Sequence, residues 1–404
     1  MAVFWWRNNG CGERLFDASN AAVLRNFAPF TAVPRMTQPA VALLGRRDEP
    51  TDGVEQYCIR LAAALRHHDI AMDTVRVPWK ERGWDEALRR LQQRAAEWRG
   101  QWVLLQYTAL AWSPRGFPLQ VPRVIKILRE AGARIGVVFH DAQPYPGSRP
   151  IDQVRRFVQV RTMRQALRAS ERAIVTVPAD KLPWTSANLE KVIFIPVGAN
   201  LSQVQSPAAE SDLRQDEALT VAVFSVTGGV AEQREVSQIT AAVRFAAAKL
   251  GKIRLLVFGR NADSAQGALL AGLRGLDVAL HVAGVLPENE IERLLRSADV
   301  LLFVRGSISS RRGSAIAGIA CGLPVIAFAG SETAPPITDA GVVLVAGGNK
   351  AALGEALVRV LGDREYHARL VERSRIAYKN HFSWESIAAR YASVLNTPSQ
   401  TKEG

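Results

Sequence analysis

Short apolar runs separated by amphipathic stretches recur from residue 41 onward. Runs at 41–44, 72–77, 102–106, 135–139, 173–177 and 192–195 have strand length and are bounded by polar or turn residues. Helical periodicity falls between them at about 53–67, 84–99, 121–131 and 153–173. Strands that alternate with helices predict parallel βαβ units. Runs such as Val103-Leu104-Leu105 and Ile135-Gly136-Val137-Val138-Phe139 are continuously apolar, as expected for a sheet covered on both faces.

A polar stretch at 201–218 interrupts the series and reads as a linker. A second series follows, with strands expected at 219–225, 253–258, 279–283, 299–303, 324–328 and 342–345. Helices are expected at 230–250, 264–273, 288–297, 313–321, 350–361 and 363–379, with a last one in 383–396. The predicted fold class is α/β: two Rossmann-like, doubly wound domains, 38–200 and 219–382, with a cleft between them as the expected site. Residues 1–37 lack sustained periodicity and read as a poorly structured extension. They carry no apolar core with a small-residue cleavage site, so no secretory signal is expected. Met36 is the expected start of the folded protein, to be checked by N-terminal sequencing of native material.

Composition narrows the picture. A chain of 404 residues exceeds one ordinary core, which agrees with two domains. No apolar run is long enough to predict a transmembrane helix. Cys11, Cys58 and Cys321 are scattered without ligand spacing, which favours a reducing cytoplasm over disulfides or zinc. The net charge of +13 is concentrated in residues 1–200, where 29 Lys and Arg face 18 Asp and Glu. An anionic partner is expected there. Arg161, Arg164, Arg168 and Arg172 recur at helical spacing opposite Val160, Met163 and Leu167. That stripe is either a solvated face or a dock for anionic lipid at the inner face of the cell membrane. The arginines lack interleaved aromatics and no nucleic-acid-binding motif accompanies them, so nucleic acid is not an expected partner.

The segment from Ser307 to Ala327 is the richest in candidate chemistry. It contains Ser309, Arg311, Arg312, Gly313 and Ser314, followed by an Ala/Gly-rich helix and the turn Cys321-Gly322-Leu323-Pro324. Free amides at a helix N-terminus and two guanidinium forks suit phosphate. The plain alternative is a close-packed helix beside two solvated arginines. His140 and Asp141 follow an expected strand, where ligands bind in parallel sheets. Arg260 and Glu332 hold equivalent positions in the second half, and Gly53 opens a helix. Each also admits an ordinary loop or capping role.

Taken in order, Gly53-Val54-Glu55, His140, Ile195-Pro196-Val197-Gly198-Ala199-Asn200, Phe258-Gly259-Arg260, Ala298-Asp299-Val300-Leu301-Leu302, Ala320-Cys321-Gly322-Leu323-Pro324-Val325-Ile326 and His381-Phe382-Ser383-Trp384 resemble the group 1 (family 4) glycosyltransferases of the GT-B fold. The resemblance spans roughly 38–396. It implies a nucleotide-sugar donor held mainly by the second domain and a saccharide or lipid-linked saccharide acceptor on the first. It also implies a terminal helix crossing back to the first domain, and no metal or other cofactor. Gly53 would approach the donor diphosphate, and His140 would contact the transferred sugar. Net retention of configuration is implied, in surface polysaccharide or glycolipid assembly.

The chain departs from that pattern in two places. Members usually carry two glutamates eight residues apart before the Ala-Cys-Gly-Pro turn, and here Ser309 and Ala317 stand there. They usually carry an Arg and a Lys after the first strand of the second domain. Here Ser225-Val226-Thr227-Gly228-Gly229 has neither, and Arg234 is the nearest base. Relocation of the diphosphate clamp to Arg311, Arg312 and the Gly313-Ser314 amides is the expectation. The competing one is a GT-B-shaped protein that binds a nucleotide or a partner without turnover, and an epimerase or a pyrophosphate-forming synthase is a third.

Overall fold

A computed structural model of the protein describes residues 39–49, 51–201 and 218–398. The expected extension 1–37, the proposed start at Met36 and nearly all of the linker lie outside the described residues.

The first lobe runs β1 (Ala40–Leu44), α1 (Gly53–Leu65), β2 (Met72–Arg76), α2 (Trp79–Arg82), α3 (Trp84–Ala95), β3 (Trp102–Tyr107), α4 (Val121–Glu130), β4 (Arg134–Phe139), α5 (Pro150–Ala169), β5 (Arg172–Val175) and β6 (Val192–Phe194). Its six strands are parallel, in the order β2-β1-β3-β4-β5-β6. Alternate residues of each strand serve two cores. Val41, Leu43, Val103 and Leu105 pack with residues of α3, α4 and α5. Ala40, Ala42, Trp102 and Leu104 pack on the other face with α1 and the C-terminal helix. Two covered faces explain why β3 and β4 are buried at every position.

The second lobe runs β7 (Leu219–Phe224), α6 (Val230–Leu250), β8 (Ile253–Phe258), α7 (Ala262–Gly272), β9 (Val278–Ala283), α8 (Glu288–Arg296), β10 (Val300–Ser307), α9 (Gly313–Ala320), β11 (Val325–Phe328), β12 (Val342–Val345), α10 (Lys350–Gly362) and α11 (Arg364–Ala377). Its parallel order is β12-β11-β10-β7-β8-β9, with the switch point between β7 and β10. A π-helical turn, Tyr378–Phe382, leads into α12 (Trp384–Leu395), which packs against α1 of the first lobe. The Trp384 indole donates to Ala199 O at 2.6 Å, and the Trp102 indole donates to Leu395 O at 2.8 Å. Gly198 makes this docking fit, because a Cβ there would come within 2.9 Å of the Trp384 ring.

Two elements differ from expectation. The helix expected over 153–173 is α5, Pro150–Ala169, and the chain turns extended at Ser170 so that Arg172 begins β5. The arginine stripe on the helix is therefore Arg161, Arg164 and Arg168. The strand expected to stop at 303 continues to Ser307 through a register shift, with Gly306 at φ 73°. That irregular end carries Arg305 into the cleft.

Candidate active site in the interlobe cleft

The carboxyl ends of β1, β3, β4, β7, β8 and β10 converge on a cavity of about 600 Å³ between the two sheets. Gly53, His140, Asp141, Arg260, Arg311, Gly313 and Ser314 line it. Ser309, Arg312 and Glu332 stand immediately behind its second-lobe wall. Gly53 and Ser314, 261 positions apart in the chain, are thus brought to one cavity.

On the first lobe, Asp52 caps α1 by accepting from the Val54 and Glu55 amides at 3.0 and 3.1 Å. Arg76 holds the same carboxylate and Glu55. This fixes Gly53 at the first position of the helix, where an added Cβ would meet nothing within 4 Å. The missing side chain leaves open cleft, not room for a neighbouring protein group.

His140 continues β4. Its Nε2 lies 2.8 Å from Gln106 Oε1, while the Gln106 amide nitrogen donates to Leu104 O at 3.1 Å. The glutamine oxygen therefore accepts, and His140 carries its proton on Nε2, which leaves Nδ1 as an acceptor. Tyr57 meets the imidazole edge-on, with ring centroids 5.1 Å apart. Burial drives the His140 pKa down to about 4, so the ring is neutral at physiological pH. Asp141 is also enclosed, and burial raises its pKa. Its Oδ2 accepts from the Ala109 amide at 2.6 Å, which pins the loop beside it.

The second-lobe wall is built of arginines in unlike states. Arg311 donates Nε and Nη2 to Glu332 at 2.7 and 3.1 Å, and Ser309 Oγ donates to the same carboxylate at 3.2 Å. Burial opposes ionisation of Glu332, but its bonds with Arg311 win and hold the carboxyl below its ordinary range. Arg260 reaches across the cleft to the loop before α1. It pairs with Asp48 at 3.1 Å and hydrogen-bonds the Thr51 hydroxyl and carbonyl. A second tie, Arg60 to Glu288, joins α1 to α8.

Arg305 and Arg312 have no such partner among the described residues. Each has a buried Nε without a hydrogen bond. Burial lowers both pKa values, and for Arg312 to about 10 with the help of Arg311. Both nevertheless stay charged at neutral pH. Arg305 lines the cavity, and the Gly313 and Ser314 amides at the start of α9 have no acceptor among the described residues. The loop Ser225–Gly229, which lacks cations, is held by Glu235 accepting from the Thr227 amide at 2.7 Å. The sequence reading missed Arg305, because Val-Arg-Gly-Ser looks like a loop. It missed Gln106 too, although a lone amide inside an apolar strand run was a usable signal. Among the described residues no His, Cys, Asp and Glu side chains cluster to hold a metal ion.

Residues 217–377 match the family model described as glycosyl transferases group 1. The second lobe is thus similar in sequence to the group 1 glycosyltransferases. The fold of the whole is GT-B, as its likeness to solved structures shows. HepE of Anabaena, solved with UDP and glucose, superposes with a TM-score of 0.62 at 16% identity, over 89% of this chain and 99% of HepE. Sucrose-phosphate synthase of Thermosynechococcus elongatus gives 0.64 at 18%, over 88% and 98%. WaaG, a glycosyltransferase involved in lipopolysaccharide biosynthesis, gives 0.62 at 16%, over 89% and 100%. No curated protein matches the chain in sequence.

Proposed function

We propose that the protein is a glycosyltransferase that moves a hexosyl or pentosyl unit from a nucleoside diphosphate sugar to a hydroxyl acceptor. The observation that carries this is Arg305 and the free Gly313-Ser314 amides facing Gly53 and neutral His140 across one cavity, with Arg312 just behind them. Two desolvated guanidinium groups without an ion pair among the described residues, beside free helix amides, suit a diphosphate. Arg311, already matched by Glu332, shapes the wall instead. This moves the expected clamp from the Arg311/Arg312 pair to Arg305 and Arg312. The complexes of HepE with UDP and UDP-glucose add support for a nucleotide-sugar donor.

In this reading His140 Nδ1 accepts a hydrogen bond from a hydroxyl of the transferred sugar. The arginines stabilise charge as the anomeric carbon–phosphate oxygen bond breaks. The acceptor oxygen bonds to that carbon from the same face, and its proton passes to the departing diphosphate, giving retention. No metal or other cofactor is invoked. The acceptor is a saccharide or lipid-linked saccharide, and the work belongs to surface polysaccharide or glycolipid assembly in the cytoplasm. Binding without turnover is the weaker reading, because Glu332 returns a carboxylate to the side of Ser309, where a family glutamate is missing.

Calorimetry with UDP, GDP and ADP diphosphates tests the site, with donor hydrolysis and transfer assays alongside. One nucleoside diphosphate should bind saturably, and Arg305→Ala should weaken it roughly 10- to 150-fold, the worth of a charge-assisted contact. Failure of every nucleoside diphosphate to bind would overturn the assignment.

A further inference from the structure

The outer face of α5 carries features that the cleft does not use. Val154, Phe157, Arg161, Arg164 and Arg168 follow one another at steps of three and four residues. At 100° per residue they share an arc of about 80°, directly opposite the face that packs into the core. The core face is real: Gln159, Thr162, Met163, Ala166 and Leu167 are buried. Phe157 is 68% and Val154 53% exposed, and Ile151 in the first turn is 48% exposed. Arg161, Arg164 and Arg168 are exposed as well. The helix has one acid, Asp152, which is buried and paired with Arg149 and Arg155. The exposed face is therefore purely cationic at one end and apolar at the other.

We infer that this face docks the protein on an anionic lipid surface. Val154 and Phe157 lie one turn apart, so the exposed apolar surface is a patch and not a single side chain. An interfacial helix places apolar side chains among acyl chains and arginines against lipid phosphates. Charge decides between partners: three arginines with no exposed acid on the helix complement a bilayer rich in anionic headgroups. No helix among the described residues is long and apolar enough to cross a membrane, so the contact is peripheral. The inner side of α5 is tied to a loop of the cleft. Arg155 of α5 stacks on Phe117 and Tyr145 at 5.5 and 4.8 Å, and bonds Arg115 O. The same 108–120 loop contributes Leu110 to the cavity wall. The inference stands whether or not the protein transfers sugar.

Flotation of the full chain with vesicles tests it, one set phosphatidylcholine alone and the other equal parts phosphatidylcholine and phosphatidylglycerol. The protein should float with the anionic set, and added salt should release it. The triple variant Arg161→Gln/Arg164→Gln/Arg168→Gln should bind on the order of a hundredfold more weakly. Phe157→Ser/Val154→Ser should also weaken binding, and what remains should be more easily released by salt. All five positions are exposed, so a melting curve matching the parent is expected and checks the fold. Equal binding to both vesicle sets, or undiminished binding by the triple variant, would overturn the inference. No binding at all by the parent protein would likewise overturn it and turn this face toward a protein partner.

Discussion

His140 donates its Nε2 proton to Gln106 across 2.8 Å, from a ring that burial keeps neutral. Because its folded pKa of about 4 lies below the ordinary value of 6.5, protons favour the unfolded chain. Its contribution to stability is complete above the ordinary value and is lost as pH falls from there toward the folded value. Replacing the amide by a carboxylate reverses the local field. Gln106→Glu should raise the His140 pKa by about 1–3 units. The acid limb of the pH–rate profile should move up with it, while Gln106→Leu should lower stability by about 1–3 kcal/mol by leaving the N–H unpaired. An unmoved acid limb in Gln106→Glu would show that His140 is not the group that titrates.

Gly53 offers a separation of folding from function. Its φ is not positive, and a Cβ there meets no heavy atom within 4 Å, so the protein itself does not demand glycine. Gly53→Ala should leave stability unchanged or raise it by up to about 1 kcal/mol, as expected at a helix position that suits alanine. Donor affinity and turnover should fall, because the methyl group enters the cleft. Thermal melts and kinetics on the same preparation read the two effects independently. Full activity in Gly53→Ala would mean that no ligand passes close to this turn.

How far these residues could be read from sequence follows from the range of the interactions that place them. The central strands were legible because they are self-contained apolar runs in a sheet covered on both faces, as in β3 and β4, whereas the edge strand β2 carries Asp73, Thr74 and Arg76. Position at a strand's carboxyl end was enough to bring His140, Asp141 and Arg260 to the cleft. Their partners were not legible. Arg260 closes on Asp48 and Thr51, more than 200 residues away, only once both sheets are set. Arg311 meets Glu332 because the turn before α9 and the loop after β11 emerge side by side. The end of β10 was misread because Gly306, which usually marks a loop, here serves an irregular strand end at positive φ.

Arg311 and Arg305 should respond differently to the same truncation. Arg311→Ala strands Glu332, whose side chain is 10% exposed, and should cost about 2–3 kcal/mol of stability. Glu332 would then keep only the Ser309 hydroxyl and the charge of Arg312 to hold its pKa down, and burial would weigh more against its ionisation. In the parent protein this lowered pKa adds stability above the ordinary carboxylate range, and that stability is lost as pH falls through the folded value. The variant should show a smaller acid-side loss. Arg305→Ala removes a desolvated cation that has no ion pair among the described residues and only the more distant charge of Glu235 in its favour, and should leave stability little changed while weakening nucleoside diphosphate binding. Denaturant titrations at two pH values, set beside calorimetry, compare the two variants.

Tyr57 and Tyr391 join α1 to α12 through a hydroxyl pair 2.9 Å apart, fully buried. The pair sits beside the cleft, since Tyr57 lines the cavity and touches both His140 and Trp384. Removing one hydroxyl leaves the other buried without that partner, so Tyr57→Phe and Tyr391→Phe should each cost about 1–3 kcal/mol. Removing both replaces a polar contact by two apolar rings of nearly the same shape. The double variant should therefore cost clearly less than the sum of the singles, a coupling of about 1 kcal/mol or more in a double-mutant cycle. Strict additivity would mean that the hydroxyls act separately. Coupling, together with a lower kcat at unchanged KM in the single variants, would show that docking of the last helix helps to set the position of His140.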